Sequence, residues 1–441
     1  MEDADLAAVV RRAPFADSPF VGQRGHQARQ RIVDAALQLF GELGYHECGI
    51  KRITELSGCS RAAFYQYFSG KEDLFRQLTG QVARQLAELT DGVGSITPDP
   101  AGYDALRSWL DGYRALYVRY APVFLAFQSA AVSDEAVASG GARVAVRTFD
   151  GLRSKLDGVQ LPARQADGVT RALPEVTVRA CALVDIMAAT GMGGDLFDED
   201  RIHRAVADVF HRALFAPDPA VNVHPPAGGE PSSVPEADVA AAFADRELAG
   251  PPSLGPTSAR TRDSLLEAGH RVFTERGYYA ARVADVVELA GLSRGIFYRY
   301  FENKTHLFRL LAEQASTRFL ASLAAVPALV DDDGRPIGPD ELRSWLRDYA
   351  ATTLGEAAIR ARWNEALSRD PTLRNVSAAL TERYRASCAA LLTRRTFGDH
   401  DAEAVVLVLL LDGMAIPRLT DRRVETTARI IGRGLLTAPT T

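Results

Sequence analysis

The feature that most constrains this chain is that it repeats itself. Residues 24–78 match residues 257–311 at a constant offset of 233, without a gap, with about twenty identities in some fifty positions. The shared residues include Phe40/Phe273, Gly44-Tyr45/Gly277-Tyr278, Gly58/Gly291, Ser60-Arg61/Ser293-Arg294, Phe64-Tyr65/Phe297-Tyr298, Tyr67-Phe68/Tyr300-Phe301 and Lys71/Lys304. Weaker echoes continue downstream. Leu-Arg-Ser-Trp-Leu begins at Leu106 and again at Leu342, Gly191-Met192 answers Gly413-Met414, and Ala216-Pro217 answers Ala438-Pro439. A whole unit of roughly 200 residues is therefore duplicated. Between the copies, residues 218–256 are rich in Pro, Gly, Ala and Ser and poor in large apolar side chains, as a linker would be.

Composition narrows the classes. With 47% apolar and 24% charged residues among 441, the chain can bury sizeable cores and is neither disordered throughout nor collagen-like. No uncharged apolar run reaches the roughly 18 residues of a membrane span, and the start, MEDADLAAVVRR, places acidic residues where a secretory signal needs basic ones. A cytoplasmic protein without membrane contact is expected. Cys48, Cys59, Cys181 and Cys388 are scattered and form no metal-ligand pattern, so neither a disulfide framework nor a metal site is implied. The net charge of −5 argues at first against nucleic acid. Its distribution reverses that argument, because residues 24–84 and 257–309 each carry about +3, while residues 218–256 hold about −5.

Each copy reads as helical, and the fold class expected is all-α. Ile32, Ala36, Leu39, Phe40 and Leu43 recur at helical spacing, with Gly44 as the stop. A short pattern follows with Ile50, Ile53 and Leu56 on one face, then the break Ser57-Gly58-Cys59, then Ser60 as N-cap of a second short helix. The second copy repeats this with Val283, Val286 and Leu289, the break Ala290-Gly291-Leu292, and Ser293. Two short helices joined through a glycine turn make a helix-turn-helix.

The helical period then separates buried from reading surfaces. Phe64, Tyr67 and Phe68 share one stripe of the second short helix, which leaves Ala62, Ala63, Tyr65 and Gln66 outward. The outward set in the second copy is Gly295, Ile296, Tyr298 and Arg299. Small residues early in such a helix allow close approach to a DNA groove, and Gln or Arg can make bidentate contacts to base edges. Ser60, Arg61, Lys51 and Lys71 flank the first face, and Ser293, Arg294 and Lys304 the second. Tyr67 and Tyr300 stand at the edge of the aromatic stripe and complete the candidate DNA-binding set.

These residues resemble a known family. Phe40 through Gly44-Tyr45, then Ser57-Gly58-Cys59-Ser60-Arg61, then Phe64-Tyr65-x-Tyr67-Phe68-x-x-Lys71, is similar to the N-terminal domain of TetR-family transcriptional regulators, and the second copy resembles it equally well. The resemblance implies a dimer-forming, inducer-binding helical domain after each helix-turn-helix, and here both protomers are fused. The domains expected are a tail, 1–23; a DNA-binding domain, 24–80; a regulatory and dimerisation domain, 81–217; the acidic linker, 218–256; and the second pair, 257–313 and 314–441. A flexible linker of about 40 residues spans about 35 Å, matching the roughly 34–36 Å between recognition helices on successive major grooves, so an intramolecular pseudo-dimer is expected. Further homodimerisation of the fused chain stays open. Because Gln suits adenine and Arg suits guanine, the operator should be an imperfect palindrome.

The chain also departs from the family. Cys48-Gly49 and Ala281-Arg282 replace the usual Thr-containing cap, which predicts weak caps on the first short helices. Ala284 and Asp285 stand where the first copy has Lys51 and Arg52, so the second copy is expected to grip phosphate less well, with Asp285 repelling it.

A ligand site is less defined. Trp109, Tyr113, Tyr117, Tyr120, Phe124 and Phe127 form a stripe that either packs a core or lines an apolar inducer cavity with Met187, Met192 and Phe197 opposite. The second copy keeps Trp345 and Tyr349 and adds Trp363, so ligand binding could be asymmetric. Cys48 and Cys59 read either as a redox switch or as small buried hydrophobes. Asp331-Asp332-Asp333 precedes Gly334 and Pro336, as a solvated loop does, and the glycines at 191–194 lack the strand a dinucleotide site needs. No catalytic set and no cofactor is implied. The expected function is a DNA-binding regulator, a repressor released by an apolar inducer; the alternative is a helical scaffold that has lost operator or inducer binding.

Overall fold

The structure is a computed structural model and describes residues 23–45, 47–133, 135–191, 194–216, 256–324, 329–330, 335–367, 371–395, 397–414 and 419–438. The tail, the linker, Asp331-Asp332-Asp333 and Met192 lie outside the described residues, as do the side chains of Phe127 and Trp363. The first copy runs α1 (Gln23–Leu43), α2 (Ile50–Ser57), α3 (Arg61–Tyr67), α4 (Lys71–Gly92), α5 (Pro100–Ser133), α6 (Glu135–Lys155), α7 (Ala163–Thr190) and α8 (Glu199–Phe215). The second runs α9 (Pro256–Ala280), α10 (Val283–Ala290), α11 (Arg294–Tyr300), α12 (Lys304–Ala324), α13 (Pro339–Leu367), α14 (Pro371–Leu392), α15 (His400–Asp412) and α16 (Asp421–Arg429), which a π-helical turn, Ile430–Leu435, continues. Among the described residues extended structure is confined to isolated bridges such as Ile96 with Leu156, and the rest of their regular structure is helical. No helix among them is long and apolar enough to cross a membrane.

The chain divides into two compact units. One comprises the chain up to Leu89 together with Ala115–Thr148. Its core gathers Ile32, Ala36 and Phe40 of α1, Ile53 of α2, Phe64 and Phe68, and Leu74, Phe75 and Leu78 of α4, closed by Tyr120 and Val123 from the far half of α5. Tyr120 departs from helical geometry two residues before Pro122, so α5 kinks there. The Tyr120 hydroxyl accepts from Gln81 Nε2 at 3.0 Å and Gln85 Nε2 at 3.2 Å, which satisfies the buried phenol.

The other unit comprises Thr90–Arg114 together with the chain from Phe149 onward. Here helices of both copies share one bundle. Helix α8 packs on the π-helical turn and on α15, while α7 packs on α14, α15 and α16. Ala402, Val405, Val406, Leu407, Leu409 and Leu411 of α15 are all buried, because this helix is apolar around its whole circumference. Taking Gly191-Met192 and Gly413-Met414 as anchors, Arg201 of α8 and Arg423 of α16 are equivalent, and each crosses to the other copy. Arg201 grips Asp399 at 2.5 and 2.7 Å, and Arg423 grips Glu175 at 2.6 and 2.8 Å.

One contact lacks its mate. Glu403, fully buried, accepts from Arg212 at 2.8 Å and from Arg395 at 2.5 Å. Arg212 Nε also donates to the Gly434 carbonyl at 2.7 Å, and Arg395 Nη1 to that of Leu435 at 2.6 Å, so carbonyl dipoles share the second positive charge. The positions equivalent to Glu403 and Arg212 are Cys181 and Gly434. Gly434 is required there for space, since a Cβ would meet the Val209 carbonyl oxygen at 2.4 Å.

Candidate nucleic-acid interface

The two helix-turn-helix segments are built alike, atom for atom at their turns. Gly58 ends α2 in the left-handed region at φ 64°, and Gly291 ends α10 at φ 66°, where a side chain would strain the backbone. The residues after them close the turns: Cys59 N–H donates to the Thr54 carbonyl at 3.1 Å and Leu292 N–H to that of Val287 at 2.9 Å. Ser60 Oγ then accepts from Ala63 N–H at 3.0 Å, and Ser293 Oγ from Ile296 N–H at 3.4 Å, which starts α3 and α11. Phe64, Phe68, Phe297 and Phe301 are buried, and these four rings fix the helices on their supports.

What remains outward is the reading surface. Arg61, Ala62, Tyr65 and Gln66 are exposed on α3 and Arg294, Gly295, Tyr298 and Arg299 on α11, with Ala63, Tyr67, Ile296 and Tyr300 half-buried at the edges. Tyr65 at 48% and Tyr298 at 58% exposure are large apolar side chains left in water, which is unusual unless the surface meets a partner.

Lys71 and Lys304 behave differently from a simple flank. Lys71 Nζ donates to the Tyr45 carbonyl at 3.0 Å and lies 4.4 Å from that ring's centre. Lys304 Nζ donates to the Tyr278 carbonyl at 2.8 Å and lies 4.8 Å from the Tyr278 ring. Each lysine thus ties the start of the long helix behind the reading helix to the end of the first helix, over the clusters Phe40/Tyr45/Phe75 and Phe273/Tyr278/Phe308. Lys51 is exposed and stands 3.8 Å from Glu55 one turn on.

Two expectations about the first short helices change. Leu56 and Leu289 are exposed at 46% and 42%, so they do not share the buried face. The buried residues of α2 are Ile53, Thr54 and Ser57, and α2 packs against α1. Asp285 is also not a loose negative charge. It accepts the Arg282 backbone N–H at 3.0 Å, which caps α10, and pairs with Arg276 at 2.7 Å. The cap missing from Arg282 as a side chain is supplied from inside the helix; Gly49 of the first copy has no side-chain equivalent.

The sequence profile of bacterial regulatory proteins of the tetR family matches residues 32–78 and 265–311, the two segments just described. Both heads match the tetR family. Similar proteins carry matching names. The HTH-type transcriptional repressor AcnR of Corynebacterium glutamicum is 33% identical over 124 residues, 26% of this chain and 65% of that protein. The HTH-type transcriptional regulator TtgR of Pseudomonas putida is 42% identical over 53 residues, 12% of this chain and 25% of that protein. An uncharacterized HTH-type transcriptional regulator of Mycobacterium tuberculosis is 28% identical over 184 residues, 39% of this chain and 92% of that protein. The chain thus spans less than two thirds of the length of the first two of these relatives.

Behind the TetR-like heads, the aromatic stripe is distributed over two cores. Trp109, Tyr113 and Met187 are buried in one unit, where Trp109 Nε1 donates to Thr90 Oγ1 at 3.1 Å and the Trp109 and Tyr113 rings lie 5.3 Å apart. Tyr117, buried, and Phe124, half-buried, meet at 5.4 Å in the other. These side chains pack in the manner of core residues. Burial pushes the Cys48 thiol up to about 11, so it stays protonated and unreactive near neutrality, against a redox switch with Cys59. His203, one of the dispersed histidines that imply no ligand set, is a core residue: fully buried, it lies 3.5 Å from Cys181 Sγ, and desolvation drives its pKa down to about 4. It looked like any dispersed histidine because its burial depends on which helix covers α8.

Proposed function

We propose that this chain is a sequence-specific DNA-binding transcriptional regulator, a repressor, in which one polypeptide does the work of a dimer. The reading rests above all on the exposed faces of α3 and α11, held on equivalent capped frames within TetR-like heads. The naming of AcnR as a repressor and TtgR as a regulator supports the same direction. The shared bundle of α7 and α8 with α14, α15 and α16 supports an intramolecular pseudo-dimer, since the surface that a two-fold partner would cover is covered by the second copy.

In this reading Ala62, Ala63, Tyr65 and Gln66 face one half-site and Gly295, Ile296, Tyr298 and Arg299 the other, with Arg61, Arg294 and Lys51 on phosphates. Different outward side chains read different bases, so the operator is an imperfect palindrome, with adenine favoured under Gln66 and guanine under Arg299. A small molecule that favours a conformation with the heads wrongly spaced lowers operator affinity.

Selection of binding sites from random DNA, followed by gel shifts over a salt series, tests this. Two unequal half-sites and a steep salt dependence are expected. A strictly symmetric site would remove the claim of two different readers, and the absence of any specific complex would leave the helical scaffold.

A further inference from the structure

The bundle shared by the two copies does not fit itself, and three places show it. The first is the buried charge. Arg212 of the first copy reaches Glu403 at 2.8 Å and the Gly434 carbonyl at 2.7 Å, both in the second copy. In a pair of two first copies the residues facing Arg212 would be Cys181 and another Arg212. Buried guanidinium groups would then meet with no carboxylate between them.

The second is space. A Cβ on Gly434 would stand 2.4 Å from the Val209 carbonyl oxygen. The first copy has Arg212 at that position, so its backbone could not come as close. A π-helical turn, Ile430–Leu435, carries Gly434, whereas α8 runs through the equivalent positions as regular helix. The third is length. Helix α7 has 28 residues and α15 has 13. With their ends aligned at Gly191 and Gly413, the first fifteen residues of α7, Ala163 to Thr177, extend beyond α15. This extension packs closely on α16 of the second copy, since a Cβ on Gly168 would meet Thr426 Oγ1 at 2.4 Å. The first copy has Arg204 in place of Thr426, a long charged side chain where the helices touch at a glycine.

We propose that this bundle is a heterotypic lock: the face of α7 and α8 accepts the second copy's half and rejects its own like, Arg212 makes that choice, and the two halves recognise each other without the linker. A symmetric dimer needs a face that is complementary to itself, and neither half presents one. The bridges Arg201–Asp399 and Arg423–Glu175 hold the halves together without choosing between them, because Arg201 could take Glu175, and Arg423 could take Asp399, in like pairs. The chain is thereby insulated from pairing through this face with other copies of itself. This deepens the single-chain pseudo-dimer of the proposed function and does not depend on DNA binding.

The test cuts the folded full chain at a protease site placed in the linker, within residues 218–256. The cut protein is unfolded in urea, refolded, and its pairs are weighed by native mass spectrometry, which tells the two halves apart by mass. Chance pairing gives like pairs as often as mixed ones. The expected result is an excess of mixed pairs of about a hundredfold or more, the equilibrium weight of stranding a buried ion. Like pairs at the chance level, or halves that stay apart after refolding, overturn the proposal. Arg212→Leu takes the stranded charge out of first–first pairs while Glu403 keeps Arg395 in the mixed pair, so the excess should shrink about tenfold or more. An excess unchanged in Arg212→Leu overturns the proposal as well. Gel shifts of the uncut chain keep the two readings apart: mixed pairing without any DNA complex sinks the regulator and leaves the lock standing.

Discussion

The two heads and the two bundle halves have diverged to very different degrees, although all descend from one duplication. In the heads the same atoms do the same work: Ser60 and Ser293 cap, Gly58 and Gly291 turn, Lys71 and Lys304 clamp. In the bundle the buried Arg212–Glu403–Arg395 cluster faces no counterpart, since its equivalents are Gly434 and Cys181. The difference follows from what each surface meets. In the proposed reading a head fits a duplex whose two half-sites have the same shape, whereas the bundle halves meet each other and are free to specialise. A pairing of two first copies would leave Arg212 facing a cysteine, and a pairing of two second copies would leave Glu403 without Arg212. Burying an ion without its partner is costly, so the cluster favours the mixed pairing.

The contrast can be broken most sharply at Glu403. Glu403→Ala strands Arg212 and Arg395 and should cost about 3–5 kcal/mol in a urea melt, whereas Cys181→Ala at the equivalent position should cost about 1 kcal/mol. Similar costs at both positions would mean that the halves are still interchangeable.

His203 sharpens the comparison next, because its equivalent is Glu425, which is 40% exposed. The folded-state pKa near 4 lies below the ordinary 6.5, so the unfolded chain takes the proton first as pH falls. Stability contributed by neutral His203 is therefore complete above about 6.5, is lost as pH drops towards 4, and levels off below; the loss is on the order of 3 kcal/mol. His203→Leu should flatten this window relative to the parent in melts at stepped pH, and an unchanged slope would place the titration elsewhere. The smallest effect concerns the heads. Ser60→Ala and Ser293→Ala should each cost about 1 kcal/mol, and their equality in melts and in operator affinity checks that the heads remain true copies.

Much of the head was legible in the sequence. Local rules suffice for a helix stop at glycine, a serine cap and an aromatic stripe, and the repeat supplied each twice. The errors came where contacts are not local. Leu56 shares a helical face with Ile50 and Ile53 by its spacing, yet it is exposed, because packing against α1 decides which residues of α2 are covered. Asp285 looked repulsive until Arg276, from the preceding helix, stood beside it.

By itself, then, the sequence determined that this protein is two copies of one helical unit, each led by a helix-turn-helix, because periodicity, capping and self-similarity are written along the chain. Only the tertiary structure decided which charges are buried together. Arg212 and Glu403 are 191 residues apart, and their pairing depends on two helices from different copies meeting in one core, which no neighbourhood of either residue can announce.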